Sequence, residues 1–293
     1  MIWILVTVLA TGFQVARNAA QRDLVAGAGP WGATLVRFLF GLPFSLTFVL
    51  IAWLASGNLH PRLTGAYLAF ALSAATTQVL ATAALLVSMR RAGFAVGTVM
   101  QQSSLPLSAV LGLLIFHDRL GPSAWAGVAI ASIGMAMLVR PGGGAGPRPV
   151  SGAAFGLLSG LFFGFSLNGY RHAAIALEPH HPVFSAVATV SVTQAAQSLG
   201  LVLYLAWRHP WALRAVGASW RKSLFAGFCG ATASAGWLLA LALAPAASVR
   251  AVGMVESPIA ALAGRRLFKE RLSLLQWTGG AVSAVGVLLT ALG

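Results

Sequence analysis

Two stretches, HDRLGPSAWAGVAIASIGMAML at His117–Leu138 and KERLSLLQWTGGAVSAVGVLLT at Lys269–Thr290, each carry an acidic-Arg-Leu triplet followed by Trp, Gly and Gly at identical spacing, 152 residues apart. The same offset lays Pro106 on Pro258, Gly112 on Gly264, Phe116 on Phe268 and Pro30 on Pro182. It also lays Gly12-Phe13 on Gly164-Phe165, and Ala81-Thr82-Ala83 on Ala233-Ser234-Ala235. One register recurring this often marks an internal duplication. The Gly/Pro-rich RPGGGAGPRPV, Arg140–Val150, sits where the halves join and reads as a flexible connection. It lacks the Lys-Ser/Thr or strand-turn-helix context of a phosphate loop. The expected organisation is a first repeat over 1–141, a linker over 142–150 and a second repeat over 151–293.

The medium follows from composition. Of 293 residues, 58% are hydrophobic and only 8% charged, and the mean hydropathy is +0.84, far outside the range of soluble domains. The fold class expected is an all-α integral membrane protein. Apolar runs long enough to cross a hydrocarbon core of about 30 Å recur from end to end. Ten spans are expected: Ile2–Ala20, Trp31–Leu54, Leu63–Ser88, Gly93–Phe116, Ser123–Leu138, Ser151–Tyr170, Pro182–Trp207, Ser223–Leu243, Ala246–Phe268 and Leu274–Leu292. The first lacks a basic n-region and a small-residue cleavage site and has a counterpart in the second half, so it is expected to belong to the fold. Five spans per half is an odd number, which inserts the halves in opposite orientations and implies an inverted repeat around a central cavity.

With those residues in view, the chain resembles the drug/metabolite transporter superfamily, EamA-type, over its whole length. The resemblance implies a ten-helix bundle that moves small metabolites, such as amino acids, across a bacterial inner membrane. It names no universal substrate motif, and it implies cytoplasmic termini. The charges of this chain argue otherwise. Fourteen of its nineteen Lys and Arg fall in the odd connections, among them Arg17, Arg22, Arg90, Arg91, Arg221 and Lys222, while Arg62, Arg119, Arg171 and Arg250 are assigned to the even ones. The positive-inside rule then puts both termini outside the cytoplasm. The net charge of +14 is read as orientation and contact with anionic lipid, not as nucleic-acid binding.

Candidate site residues follow from what lipid forbids. Of five acids, Asp23, Asp118, Glu178 and Glu270 sit in connections, leaving Glu256 as the one carboxylate near the hydrocarbon centre. A charge there costs at least about 2.5–3.5 kcal/mol, so it must face water, pair with a cation or hold a proton. Such a group can carry a proton or receive an amine. Pro258, and its counterpart Pro106, should kink their helices and expose backbone one turn earlier. Gly253 shares the Glu256 face, as does Ala260, and the repeat maps that stripe onto Gln101, Ser104 and Ser108. Gln102 lies about a hundred degrees round the helix. The substrate-binding candidates are therefore Glu256, Gln101, Gln102, Ser104 and Ser108, joined by Trp237, Gln14, Thr77, Gln78 and Asn168 within other spans; Pro106, Pro258 and Gly253 are the helix-break or gating candidates. Arg37 is read as near enough to a span end to snorkel.

Other features have bland readings. Eight of the nine Trp lie near span ends, as in an interfacial belt. Gly152, Gly156, Gly160 and Gly164 form a ridge for close helix packing. EPHHP at Glu178–Pro182 lacks convergent metal ligands, and lone Cys229 excludes an internal disulfide. No metal or cofactor is expected. The function expected is secondary transport of a small metabolite, with protons as a candidate co-substrate, lipid as the surroundings, and a monomer or homodimer as the working state. A scaffold subunit is the rival reading. An intramembrane enzyme is disfavoured because no paired carboxylates, HExxH or nucleophile-base pair falls within the spans.

Overall fold

The inside-out distribution of polarity is visible along a single helix. In α1 (Ile2–Leu39) Leu5 and Leu9 are exposed while Thr7, Thr11, Gln14 and Arg17 are buried. Leu46, Leu50, Ile51 and Leu54 likewise face outward from α2 (Leu42–Ala55). Apolar side chains outside and polar ones inside suit a chain dissolved in lipid, where polar groups must find partners within the protein.

The computed structural model describes residues 2–57, 59–115, 117, 121–139, 150–256, 259, 266 and 274–292. These residues are overwhelmingly helical and contain no strand, so the chain is an all-α membrane protein. Beyond α1 and α2 come α3 (Gly65–Ala92), α4 (Phe94–Gln101), α5 (Ser104–Ile115), α6 (Pro122–Val139) and α7 (Val150–Leu177). They are followed by α8 (Pro182–Arg208), α9 (Pro210–Ala218), α10 (Trp220–Leu243), α11 (Ala246–Gly253) and α12 (Leu274–Leu292). Among the described residues, five stretches are long and apolar enough to cross a membrane: Ile2–Ala55, Gly65–Ala92, Ser151–Leu177, Pro182–Arg208 and Trp220–Leu243. That measure does not establish the expected ten, because the first stretch covers two expected spans and the regions of the fourth and ninth are split.

Three expectations are corrected. The first span does not stop at Ala20: helix continues to a break at Gly29 (φ 68°, ψ 173°), followed by Pro30. Glycine supplies the positive φ and proline is preset to start the next segment. Arg17 and Arg22 thus belong to α1, not to a connection, and Arg17 is fully buried. Arg250 lies in the last turn of α11, also buried, not in an even connection. Finally, the connection after α8 contains the short helix α9, which turns Ala212 and Val216 inward and leaves Trp211 exposed.

The chain forms two compact units, each built from both sequence halves: Met1–Val79 with Gly169–Ala244, and Leu80–Asn168 with Pro245–Gly293. In the first, α10 packs along α1 and α8, and α8 packs on α2. Close approach there depends on Gly227, where an added Cβ would strike the Phe40–Gly41 backbone. In the second, Gly152, Gly156, Gly160 and Gly164 of α7 abut Ala92, Met100, Ser103 and Ser108 respectively. The glycine ridge is therefore a packing surface.

The second unit also contains the pseudo-symmetry. A Cβ on Gly134 would meet Ser283 and the Gly279 carbonyl, and one on Gly286 would meet Ala131 and the Gly127 carbonyl. Each of these pairs, Gly134 with Gly286, Ala131 with Ser283 and Gly127 with Gly279, is related by the offset of 152. Contacts exchanged reciprocally in this way define a local two-fold axis. Gly127 lies against Thr290 while Gly134 lies against Ser283, so α6 and α12 run antiparallel and the axis is perpendicular to them. An inverted repeat has this relation at its closing helices.

The seam makes a quantitative prediction. Gly286→Ala should destabilise the protein by about 1–3 kcal/mol, because the methyl meets backbone that cannot move aside. Gly280→Ala, which meets nothing within 4 Å, should be neutral or mildly stabilising. Thermal unfolding of the two purified variants in detergent compares them directly.

Candidate functional site

Helix α4 covers residues 94–101 and α11 covers 246–253, and adding 152 to the first range gives the second. Both helices stop at the same place in the repeat. The breaks are alike in detail: Ser103 N donates to Met100 O at 3.2 Å, and its counterpart Val255 N donates to Val252 O at 3.2 Å. Pro106 accounts for the first break. It has no N–H to donate to Gln102 O, and that carbonyl instead accepts from Leu105 N at 2.9 Å. Pro258 and Ala260 lie outside the described residues; Gly253 is the buried last residue of α11.

Arg250 joins the two breaks. Its Nε donates to Ser104 Oγ (2.6 Å) and its Nη2 to Gln102 Oε1 (2.6 Å), on the first-repeat break. Its Nη1 donates to Glu256 Oε2 (3.4 Å), just past the second. Arg250 is 2% exposed and Glu256 0%. In the same unit Leu105, Ala109, Val128, Ala131, Ala247, Ala251 and Met254 form a buried apolar cluster drawn from the segments that flank the two breaks and from α6. A cation in the last turn of α11 also complements that helix's carbonyl end.

The sequence-derived list divides between the two units. In the second, Glu256, Gln102 and Ser104 come together on Arg250. Gln101, at the end of α4, is buried with its Oε1 unbonded; Gln102 Nε2 and the Ser103 hydroxyl also lack hydrogen-bond partners. These three atoms leave hydrogen-bonding capacity at the first break. Ser108 and Asn168 have structural bonds: Ser108 Oγ donates to Leu105 O, and Asn168 Nδ2 donates to Ser108 O and Gly164 O at 3.0 Å each.

In the first unit Gln78 accepts from Tyr170 Oη (2.7 Å) and from Gln197 Nε2 (2.9 Å). Gln14 and Trp237 are buried. Thr77 is only half-buried, and its hydroxyl bonds back to Ser73 O in its own helix.

Two arginines were misjudged in sequence. Arg37 does not snorkel: it is 2% exposed, donates from Nη2 to Ser234 Oγ (3.3 Å) and stacks its guanidinium 5.1 Å from the Phe38 ring. Its helix runs on to Leu39, which keeps it inside, and small Gly230 on α10 leaves room for its stem. Arg250 was overlooked as the partner of Glu256. Six residues along an unbroken helix would set the two about 240° and 9 Å apart, and only the break at Met254–Val255 lets them meet. The available signal was Arg250 lying within the ninth span as bounded above, in the same span as the one intramembrane acid.

Residues 1–140 match the family model of the EamA-like transporter family. A solved crystal structure of a protein with 16% sequence identity resembles it over 98% of this chain and 96% of that one, with TM-score 0.61, which speaks to the fold alone. Among curated proteins none matches. The chain is a multi-pass membrane protein whose first 140 residues are similar to that transporter family.

Removing one partner of the buried pair should be costly. Arg250→Gln is expected to destabilise by about 3–5 kcal/mol, since Glu256 loses its cation. Adding Glu256→Gln should recover most of that loss, as the two changes are coupled. Unfolding of the single and double variants measures the cycle.

Proposed function

We propose that this protein is a secondary transporter that moves a small metabolite, such as an amino acid or a related compound, across a bacterial inner membrane by alternating access. The observation that carries this reading is the Arg250–Glu256 pair at two helix breaks in matching repeat positions. Matched discontinuous helices supply polar backbone where a substrate or coupling ion can be held, and they are the natural places for an inverted repeat to bend. Gln101, Gln102, Ser104 and Ser108 form the polar side of the first break, with Gly253 and Pro106 as bending points.

Glu256 is the switch in this proposal. While ionised it holds Arg250 against Gln102 and Ser104. Protonation, or the arrival of a cationic group, releases Arg250 from the carboxylate and loosens the link between the two breaks. Coupling is thus to protons or to a substrate amine. The excess of basic residues in the odd connections supports termini on the non-cytoplasmic side, with a monomer or homodimer surrounded by lipid.

The test is substrate flux against pH in liposomes for wild type and Glu256→Gln at equal reconstitution. An amide cannot titrate, so the variant is expected to fold and to lose coupled flux or its pH dependence. Superimposable pH profiles would make Glu256 purely structural.

A further inference from the structure

The corner that joins α8, α9 and α10 concentrates positive charge at one end of the first unit. Arg208, Arg214, Arg221 and Lys222 are all exposed there, and the sequence has no Asp or Glu between Glu178 and Glu256. Two of the four cations are held against indoles. The Arg208 guanidinium lies 4.7 Å from the Trp207 ring centre and that of Arg221 5.4 Å from the Trp220 ring centre. Trp207 is 77% exposed and Trp220 50%. Each cation is thus kept at the level of an exposed indole, the side chain that favours the headgroup layer of a bilayer.

The corner also has a fixed shape and an apolar side. Ala212 and Val216 of α9 seat on Gly32 of α1, each 3.5 Å from its Cβ position, and Trp211 covers Gly29 at 3.3 Å. The rings of Trp31, Tyr204, His209 and Trp211 follow one another edge to face at 5.5, 6.0 and 6.3 Å. Arg214 lies two residues from both Ala212 and Val216, about 200° round the helix, so it points away from α1. Leu199, Leu203 and Trp207 recur every four residues along one exposed face of α8, and this apolar stripe ends at Arg208. An acyl chain can lie along such a stripe while its headgroup meets the cations. A free anion cannot use the stripe, and a second copy of the chain would set four like charges against four.

We propose that the α8–α9–α10 corner binds the phosphate headgroup of an anionic phospholipid. Arg208 and Arg221 are its stacked guanidinium ligands, Arg214 and Lys222 add charge, and the α8 stripe takes one acyl chain. The guanidinium fork matches phosphate oxygens, and each basic residue at the surface adds attraction for an anionic headgroup over a zwitterionic one. The site stands independently of the transport reading.

The test is native mass spectrometry of the full chain in detergent micelles, titrated with phosphatidylglycerol, phosphatidylcholine of the same acyl chains, and glycerol 3-phosphate. Wild type is expected to hold phosphatidylglycerol at least about 10-fold more tightly than phosphatidylcholine and to retain no glycerol 3-phosphate. Arg208→Gln with Arg221→Gln should weaken phosphatidylglycerol binding by about 10-fold or more and leave phosphatidylcholine binding unchanged. Arg214→Gln with Lys222→Gln, which keeps both stacked pairs and guards against a misfolded first variant, should weaken it by about 3-fold or more. Arg90→Gln with Arg91→Gln removes the same charge from the end of α3 and should change nothing. Equal retention of the two phospholipids, or unchanged affinity in both folded corner variants, would overturn the proposal. An equal loss in the Arg90 and Arg91 variant would do so too, assigning the effect to net charge. Glycerol 3-phosphate held as tightly as the lipid would make this a site for soluble anions, and a lipid-free dimer that separates in the corner variants would make it a contact between copies; either result defeats the proposal.

Discussion

A guanidinium in the interior of a lipid-embedded helix bundle has to be satisfied by the protein, and Arg250 is satisfied at two helix breaks at once. Its three donor groups reach Ser104, Gln102 and Glu256, so its position depends on α4 and α11 both stopping where they do. Had either helix continued, the geometry would fail: Gln102 would be drawn into regular helix, and Glu256 would project away from Arg250. The polar side chains and the freed backbone at the breaks are consequences of one constraint, that charge inside hydrocarbon be paired where backbone is also open.

The two repeats share this backbone and differ in its charge. The residue corresponding to Arg250 is Thr98, and the one corresponding to Glu256 is Ser104. Duplication therefore produced two equivalent breaks, of which one holds the ion pair and the other supplies neutral ligands to it. A symmetric pair of ion pairs would have buried four charges at close quarters, with a desolvation cost of several kcal/mol for each. At the α6–α12 seam the symmetry is kept instead, because glycines meeting backbone reciprocally can pack only one way.

Both compact units combine segments from the two sequence halves, and α3 and α7 each contribute to both. The unit containing α1, α2, α8 and α10 collects its own polar interior, in which Gln78, Tyr170 and Gln197 bond to one another and two arginines lie over a shared glycine. The outward faces of the same helices carry leucines. Polarity is thus sorted within each helix by facing, not between segments of the chain.

Composition alone determined the medium, because a chain with so few charges has no soluble surface to present. The offset of 152 residues pointed to the duplication, and an odd number of expected spans implied its inversion, since a repeat that crosses an odd number of times must start again from the other side. Glu256 and the stripe at Gln101 and Ser104 were legible for the same reason: lipid makes any polar residue within a span conspicuous. What only the tertiary structure decided was who meets whom. Helical periodicity sets Arg250 and Glu256 on different faces, and it assigns Gln102 to a different face from Ser104. The unwinding at Met254–Val255 and Gln102–Ser103 undoes that periodicity and brings all four together. Arg17 and Arg37 were read as an end charge and a snorkelling one, because their burial depends on a Gly29 turn that folds one helix back on itself and on a glycine in α10 that no local pattern connects to them.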